Sequence, residues 1–160
     1  MSYYLMSPLN FLTVFLPSEW LREFLMFSVV IKVACASMFM AIFLRSLFKK
    51  NDFSLVIFGC SFGFCAFFMG YYWNTIWLDT VCITPLVALG TVKLFTEGKF
   101  RLYIVSLALS LLTNYYIGLF ACIFVLLSFI AYNIVKWDGI KKFATNLLRT
   151  GIYSLIAIGL

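Results

Sequence analysis

The chain has 160 residues, of which 64% are apolar, 20% aromatic and only 11% charged, and its mean hydropathy is +1.05. A soluble domain carries about a quarter charged residues, so a soluble globule and a disordered chain are both excluded and a polytopic membrane protein remains. The net charge of +6 sits in short loops between apolar runs, which is the placement of orienting charges and gives a nucleic-acid partner no support.

In chain order, residues 1–23 read as an outer interfacial segment. Ser7-Pro8 is an N-cap and first-turn pair for a short apolar helix, Pro17 ends it, and Ser18-Glu19 restarts a helix. No basic n-region or small-residue cleavage site marks a signal peptide. Spans are expected at 24–44, 54–71 and 80–94. Residues 102–135 carry no charge, and as one helix they would be about 50 Å long, too long for one crossing of a core of about 30 Å.

The basic loops decide how to cut that run. Arg45, Lys49 and Lys50 follow the first span, Lys93, Lys99 and Arg101 the third, and Lys136, Lys141, Lys142 and Arg149 the long run. All three groups belong in the cytoplasm by the positive-inside rule. The long run must therefore return to its own side. The cut falls at Asn114-Tyr115-Tyr116-Ile117-Gly118, giving short spans at 102–113 and 119–135; a re-entrant hairpin fits equally well. Residues 136–149 alternate basic and apolar side chains and read as an amphipathic helix on anionic headgroups rather than a specific binding site. Residues 150–160 begin a further span. The fold class is an all-α transmembrane bundle of five crossings and the start of a sixth. The chain reads as an internal piece of a longer protein, with a genuine start at Met1 the alternative.

Few residues offer chemistry. There is no histidine, no phosphate-binding glycine loop and no Cys-x-x-Cys spacing; the five cysteines sit in apolar runs as small buried side chains. The densest feature is Tyr71-Tyr72-Trp73-Asn74-Thr75-Ile76-Trp77-Leu78-Asp79. It is either an interfacial aromatic belt with Asp79 near a helix start, or a substrate platform with Tyr72, Trp73 and Trp77 stacking on sugar faces, Asn74 bonding hydroxyls and Asp79 serving as base or metal ligand. Lys32 lies about 12 Å inside the first span. It either snorkels or pairs with a carboxylate, or it holds an anionic lipid phosphate. Gly59, Gly63, Ala66 and Gly70 put small residues along one side of the second span, a close-packing face.

Three strings together resemble the bacterial YfhO family of membrane proteins. They are Tyr4-Leu5-Met6-Ser7-Pro8-Leu9-Asn10-Phe11-Leu12 with Phe15-Leu16-Pro17, then Tyr72-Trp73-Asn74-Thr75-Ile76-Trp77-Leu78-Asp79, then Asn114-Tyr115-Tyr116-Ile117-Gly118. The family is linked to lipoteichoic-acid glycosylation and resembles membrane glycosyltransferases of the C-type fold. The resemblance implies a multi-pass protein of the bacterial cell membrane, its aromatic loops facing outside. It implies a polyprenyl-phosphate sugar donor, an envelope-polymer acceptor and the lipid bilayer as partners. Asp79 becomes the candidate catalytic acid, and Tyr72, Trp73, Asn74, Trp77, Asn114, Tyr115 and Lys32 become candidate substrate contacts. No cofactor is firmly implied, although a divalent metal could help hold the donor phosphate. The principal acidic residue of such enzymes, in their first external loop, is expected upstream of Met1. A transporter or flippase for a lipid-linked precursor, and a non-catalytic scaffold, are the rival readings.

Overall fold

Lipid offers no hydrogen bonds, so each crossing segment must close its own backbone bonds, and a chain this apolar does so as helices. In the computed structural model, which describes Ser7, residues 9–136 and residues 139–159, every regular element among the described residues is helical. Short 3-10 turns at Asn10–Phe15 and Ser18–Trp20 lead into α1, Leu21–Phe48. Then come α2 (Phe53–Gly63), α3 (Ala66–Gly70), α4 (Thr75–Glu97), α5 (Arg101–Thr113), α6 (Tyr115–Val135) and α7 (Ile140–Gly159). The N-terminal string Tyr4–Met6 and Pro8 falls outside the described residues.

Four helical stretches are long and apolar enough to cross a membrane: Ser18–Phe48, Phe53–Gly70, Thr75–Glu97 and Tyr115–Val135. The crossing read at 102–113 is not among them. With 13 residues, α5 is about 20 Å long, well short of a hydrocarbon core. The long uncharged run breaks at one residue. Asn114 is extended (φ −158°), and its side-chain Oδ1 accepts from the Ile117 backbone N–H at 3.0 Å. That bond caps α6, which therefore starts at Tyr115 and not at residue 119. Helix α7 runs unbroken from Ile140 to Gly159, through both the expected surface segment and the start of the expected span. It is not among the four stretches above.

Helix α4 is the common neighbour. It meets α1 and α3 in one apolar cluster built on Ala36, Phe68, Leu78 and Cys82. Its other side meets α5, α6 and α7 in a second, which includes Val87, Leu94, Tyr103, Leu107, Val125 and Ala157. In lipid the hydrophobic effect does not hold helices together, so close packing must. Small residues let the backbones approach. A Cβ on Gly59 would come within 2.6 Å of the Ser37 carbonyl oxygen, and one on Gly63 would collide with Ser37 Oγ and lie 2.9 Å from the Val33 carbonyl oxygen. Gly70 meets nothing within 4 Å. The small-residue face thus ends at Gly63, because the helix breaks at Phe64-Cys65 before α3 begins.

A tighter contact joins α4 to α5. A Cβ on Gly90 would stand 2.7 Å from Tyr103 Cα and 2.8 Å from Tyr103 N. These are backbone atoms, so neither side chain can rotate away. Further along the same pair of helices, Thr80 and Thr113 share a hydroxyl hydrogen bond at 3.0 Å. The register is antiparallel. The α1–α2 pair is antiparallel too, since Gly59 faces Ser37 and Ala41 while Gly63 faces Val33 and Ser37. The bundle consequently has two unlike ends. One gathers Arg45, Lys49, Lys50, Lys93, Lys99, Arg101, Lys136, Lys141, Lys142 and Arg149. The other carries the aromatic loop before α4, the Asn114 turn and, near it, only Arg22 and Lys32.

Gly90→Ala should lower the stability of the full-length protein by about 1–3 kcal/mol, the usual cost of overpacking. Gly70→Ala should leave it unchanged. Thermal unfolding in detergent measures both, and equal melting temperatures for the two variants would mean that the α4–α5 contact relaxes freely.

Candidate functional site

A lysine on an apolar helix in lipid costs several kcal/mol unless its charge is met. Lys32 sits about three turns into α1 and is only 2% exposed. Its ammonium lies 2.9 Å from Asp79 Oδ1 and donates to the Thr75 carbonyl oxygen at 2.8 Å. Asp79 follows Thr75 by one turn on α4, so the carbonyl and the carboxylate stand on one face of that helix. Both charges are nine-tenths buried. The other carboxylate oxygen, Asp79 Oδ2, is buried with no hydrogen-bond partner among the described residues. The sequence leaves snorkelling, pairing and phosphate binding open for Lys32, and pairing with a carboxylate is the one this geometry shows.

Directly beside this pair is a hollow of about 570 Å³ between the N-terminal segment, α1 and the aromatic loop. That is within the range of small-molecule sites. Leu21, Leu25, Met26 and Val29 of α1 form an apolar wall, Tyr72 and Trp73 form an aromatic wall, and Arg22, Asn10 and Ser18 supply polar groups. Thr75 also lines it. The residue whose carbonyl holds Lys32 is therefore part of the hollow's surface, although neither Lys32 nor Asp79 is.

The aromatic loop is ordered by ring contacts. Tyr71 lies 6.2 Å from Trp73 and 5.8 Å from Trp77, centroid to centroid. Those contacts leave Tyr72 and Trp73 exposed at 53% and 67%. Asn74 is the half-buried N-cap of α4 and makes no side-chain capping bond.

The structure thus brings some candidates together and separates others. Tyr72 and Trp73 share the hollow. Lys32 and Asp79 share a buried ion pair next to it. Trp77 packs on Tyr71 and does not line the hollow. Asn114 is buried and commits its side chain to capping α6. Tyr115 is exposed and lines a separate apolar groove with Leu111, Leu119 and Ala157. Sequence reasoning missed Arg22, the cation that does line the hollow. Flanked by Glu19 and Glu23, it reads as an ordinary charge at a helix start, and only its distance in sequence from Tyr72 and Trp73 hides the grouping.

A metal finds little here. Among the described residues no three of the types His, Cys, Asp and Glu come together, and the one buried carboxylate is already neutralised by an ammonium. The described lining of the hollow offers no carboxylate to a divalent cation.

The ion pair predicts its own energetics. Lys32→Met and Asp79→Leu should each cost about 3–5 kcal/mol, because each strands a buried charge. The double variant should lose clearly less than the sum, since it replaces the pair with apolar side chains. A double-mutant cycle on detergent unfolding tests this; strictly additive losses would mean the two side chains act independently.

No curated protein and no solved structure matches this chain. The sequence model of the family described as bacterial membrane protein YfhO matches residues 1–160. That match covers the whole helical bundle together with the hollow, the ion pair and the Asn114 turn, so the chain belongs to the YfhO family of bacterial membrane proteins.

Proposed function

We propose that the full-length protein is a glycosyltransferase of the bacterial cell membrane, moving a sugar from a polyprenyl-phosphate donor to an envelope polymer such as lipoteichoic acid. The observation that carries this reading is the hollow beside the ion pair. It combines an apolar wall, an arginine and two exposed aromatic faces, which are the three chemistries of a lipid-phosphate sugar. The apolar α1 wall suits the prenyl chain, Arg22 suits the phosphate as a forked donor, and Tyr72 and Trp73 suit the sugar's C–H face. The end of the bundle that holds it is poor in cations, while the opposite end is rich in them. By the positive-inside rule the hollow then opens outside the cytoplasm.

In the transfer, the bond from the sugar's anomeric carbon to the donor phosphate breaks. A bond from that carbon to the acceptor oxygen forms, a base takes the acceptor hydroxyl's proton, and polyprenyl phosphate leaves. Arg22 stabilises the charge that grows on the leaving phosphate. Asp79, shut off from the hollow and paired with Lys32, is assigned a positioning role: the pair fixes Thr75, and with it the floor under the donor.

The test uses full-length protein. Arg22→Gln keeps an exposed polar side chain and removes the charge, so folding should be unaffected. Affinity for polyprenyl phosphate in detergent should fall about tenfold, the loss of one charge-assisted bidentate contact. Envelope-polymer glycosylation in cells should fall with it at equal protein level. Undiminished binding and glycosylation would remove the hollow from the reaction.

A further inference from the structure

The opposite, basic end of the bundle holds a second recess that the proposed reaction does not use. It lies where α4 ends, between the end of α6 and the start of α7, and has a volume of about 150 Å³. That is room for several waters and hence for one small anion. Its polar lining is Asn133, Lys136, Lys142, Asn146 and Arg149. None of the described lining residues is a carboxylate. Glu97, the nearby acid at the end of α4, is engaged with Lys99 at 2.7 Å.

The recess is built on a fixed base. Phe95 of α4 packs on Phe129 and Tyr132 of α6, at 5.9 Å and 5.2 Å between ring centroids, and Phe129 packs on Phe143 of α7 at 5.6 Å. The Tyr132 hydroxyl donates to the Phe95 carbonyl oxygen at 3.0 Å. Buried Asn133 donates its amide to the Phe129 carbonyl oxygen at 2.8 Å. Lys136 stands over the Tyr132 ring, 5.7 Å from its centroid. The Arg149 guanidinium reaches across to the chain reversal after α4, where Gly98 is left-handed (φ 70°) and a Cβ would meet both terminal nitrogens at 3.7 Å. The end of α6 and the first half of α7 thus bring three cations and two amides to the lining of one recess, whose base Phe95 of α4 helps to form.

The geometry points to a phosphate-binding site in this recess, formed chiefly by Arg149, Lys136 and Asn146. Arg149 supplies a forked donor, Lys136 a point charge and Asn146 a neutral donor. The phosphate can belong to the headgroup of an anionic lipid or to a small soluble phosphate. Basic recesses between helices at the membrane surface are the usual seat of anionic headgroups. A general basic surface on α7 would need no recess, no amides and no residue from α6.

Native mass spectrometry of the full-length protein in detergent tests this, with phosphatidylglycerol, phosphatidylethanolamine and glycerol phosphate as probes. Phosphatidylglycerol should be retained about tenfold more strongly than phosphatidylethanolamine, which corresponds to about 1.4 kcal/mol. Arg149→Gln should abolish the preference. So should Asn146→Leu, which leaves net charge unchanged and closes the recess. Lys50→Gln, which removes a cation from the same end outside the recess, should preserve it. Competition by millimolar glycerol phosphate would assign the site to a soluble phosphate, and its absence would assign it to lipid; either outcome supports a phosphate site. Equal loss in Lys50→Gln and Arg149→Gln, or full retention in Asn146→Leu, would overturn the proposal in favour of diffuse attraction. Melting temperatures recorded alongside separate these results from unfolding, because Arg149 also borders the end of α4.

Discussion

A single ion pair sets the level of α1 against α4. In lipid neither Lys32 nor Asp79 is tolerable alone, so the bundle must bring them together or lose several kcal/mol for each. Their meeting fixes the sliding register of two long helices that apolar side chains alone would leave loosely determined. It also draws the Thr75 carbonyl into the same contact, 2.8 Å from the ammonium. Thr75 begins α4 and borders the hollow, so the charge pair one turn below bears on the depth of that hollow. The aromatic loop hangs from the same point, its position set by where α4 starts.

The remaining register comes from close backbone approach. Lipid tails compete with apolar side chains on nearly equal terms, and contact must therefore be gained where side chains are missing. Gly59 and Gly63 let α2 lie on α1, and Gly90 lets α4 lie on α5. Polar groups deep in the bundle are handled locally. Thr84, Thr91 and Thr113 return their hydroxyls to carbonyls one turn back, at 2.8–3.0 Å. Ser37 and Asn133 do the same. Such local bonds satisfy a hydroxyl or an amide without specifying a partner, so specificity falls to the glycines, the ion pair and the few bonds between helices, Thr80–Thr113, Tyr103–Ser154 and Tyr132–Phe95.

The helical membrane class was legible because composition admits nothing else, and the break in the uncharged run was legible as a string of turn formers. The details were set by interactions that sequence distance conceals. Lys32 invites pairing with some carboxylate, but six acidic residues are available and nothing local selects Asp79, 47 positions away. Arg22 looks like a boundary charge until the fold sets Tyr72 and Trp73 beside it. Gly70, seven residues beyond Gly63, would fall on the same side of a continuous helix, yet the turn at Phe64-Cys65 rotates it off the packing face. Gly90 stands alone in sequence, without the four-residue repeat that advertises a helix contact, and still brings two backbones into direct contact. The basic residues of α7 read as a surface face, because an alternation along one helix says nothing about Phe95 and Asn133 arriving from two others.

The position of Asp79 bears on how the proposed activity would respond to its loss. A carboxylate whose loss abolishes activity is ordinarily taken as a base or a metal ligand. Its loss would also strand Lys32 and loosen α1 from α4, whether or not Asp79 touches a substrate. A drop in turnover is therefore ambiguous by itself. The physical difference lies in what restores it. A base is needed for its proton affinity, so removing Lys32 as well would restore nothing. A positioning pair is needed for its neutrality and its fit, so an apolar pair of similar volume would recover both the packing and part of the turnover. The proposed positioning role rests on two observations: Asp79 is paired with buried Lys32, and it is absent from the lining of the hollow.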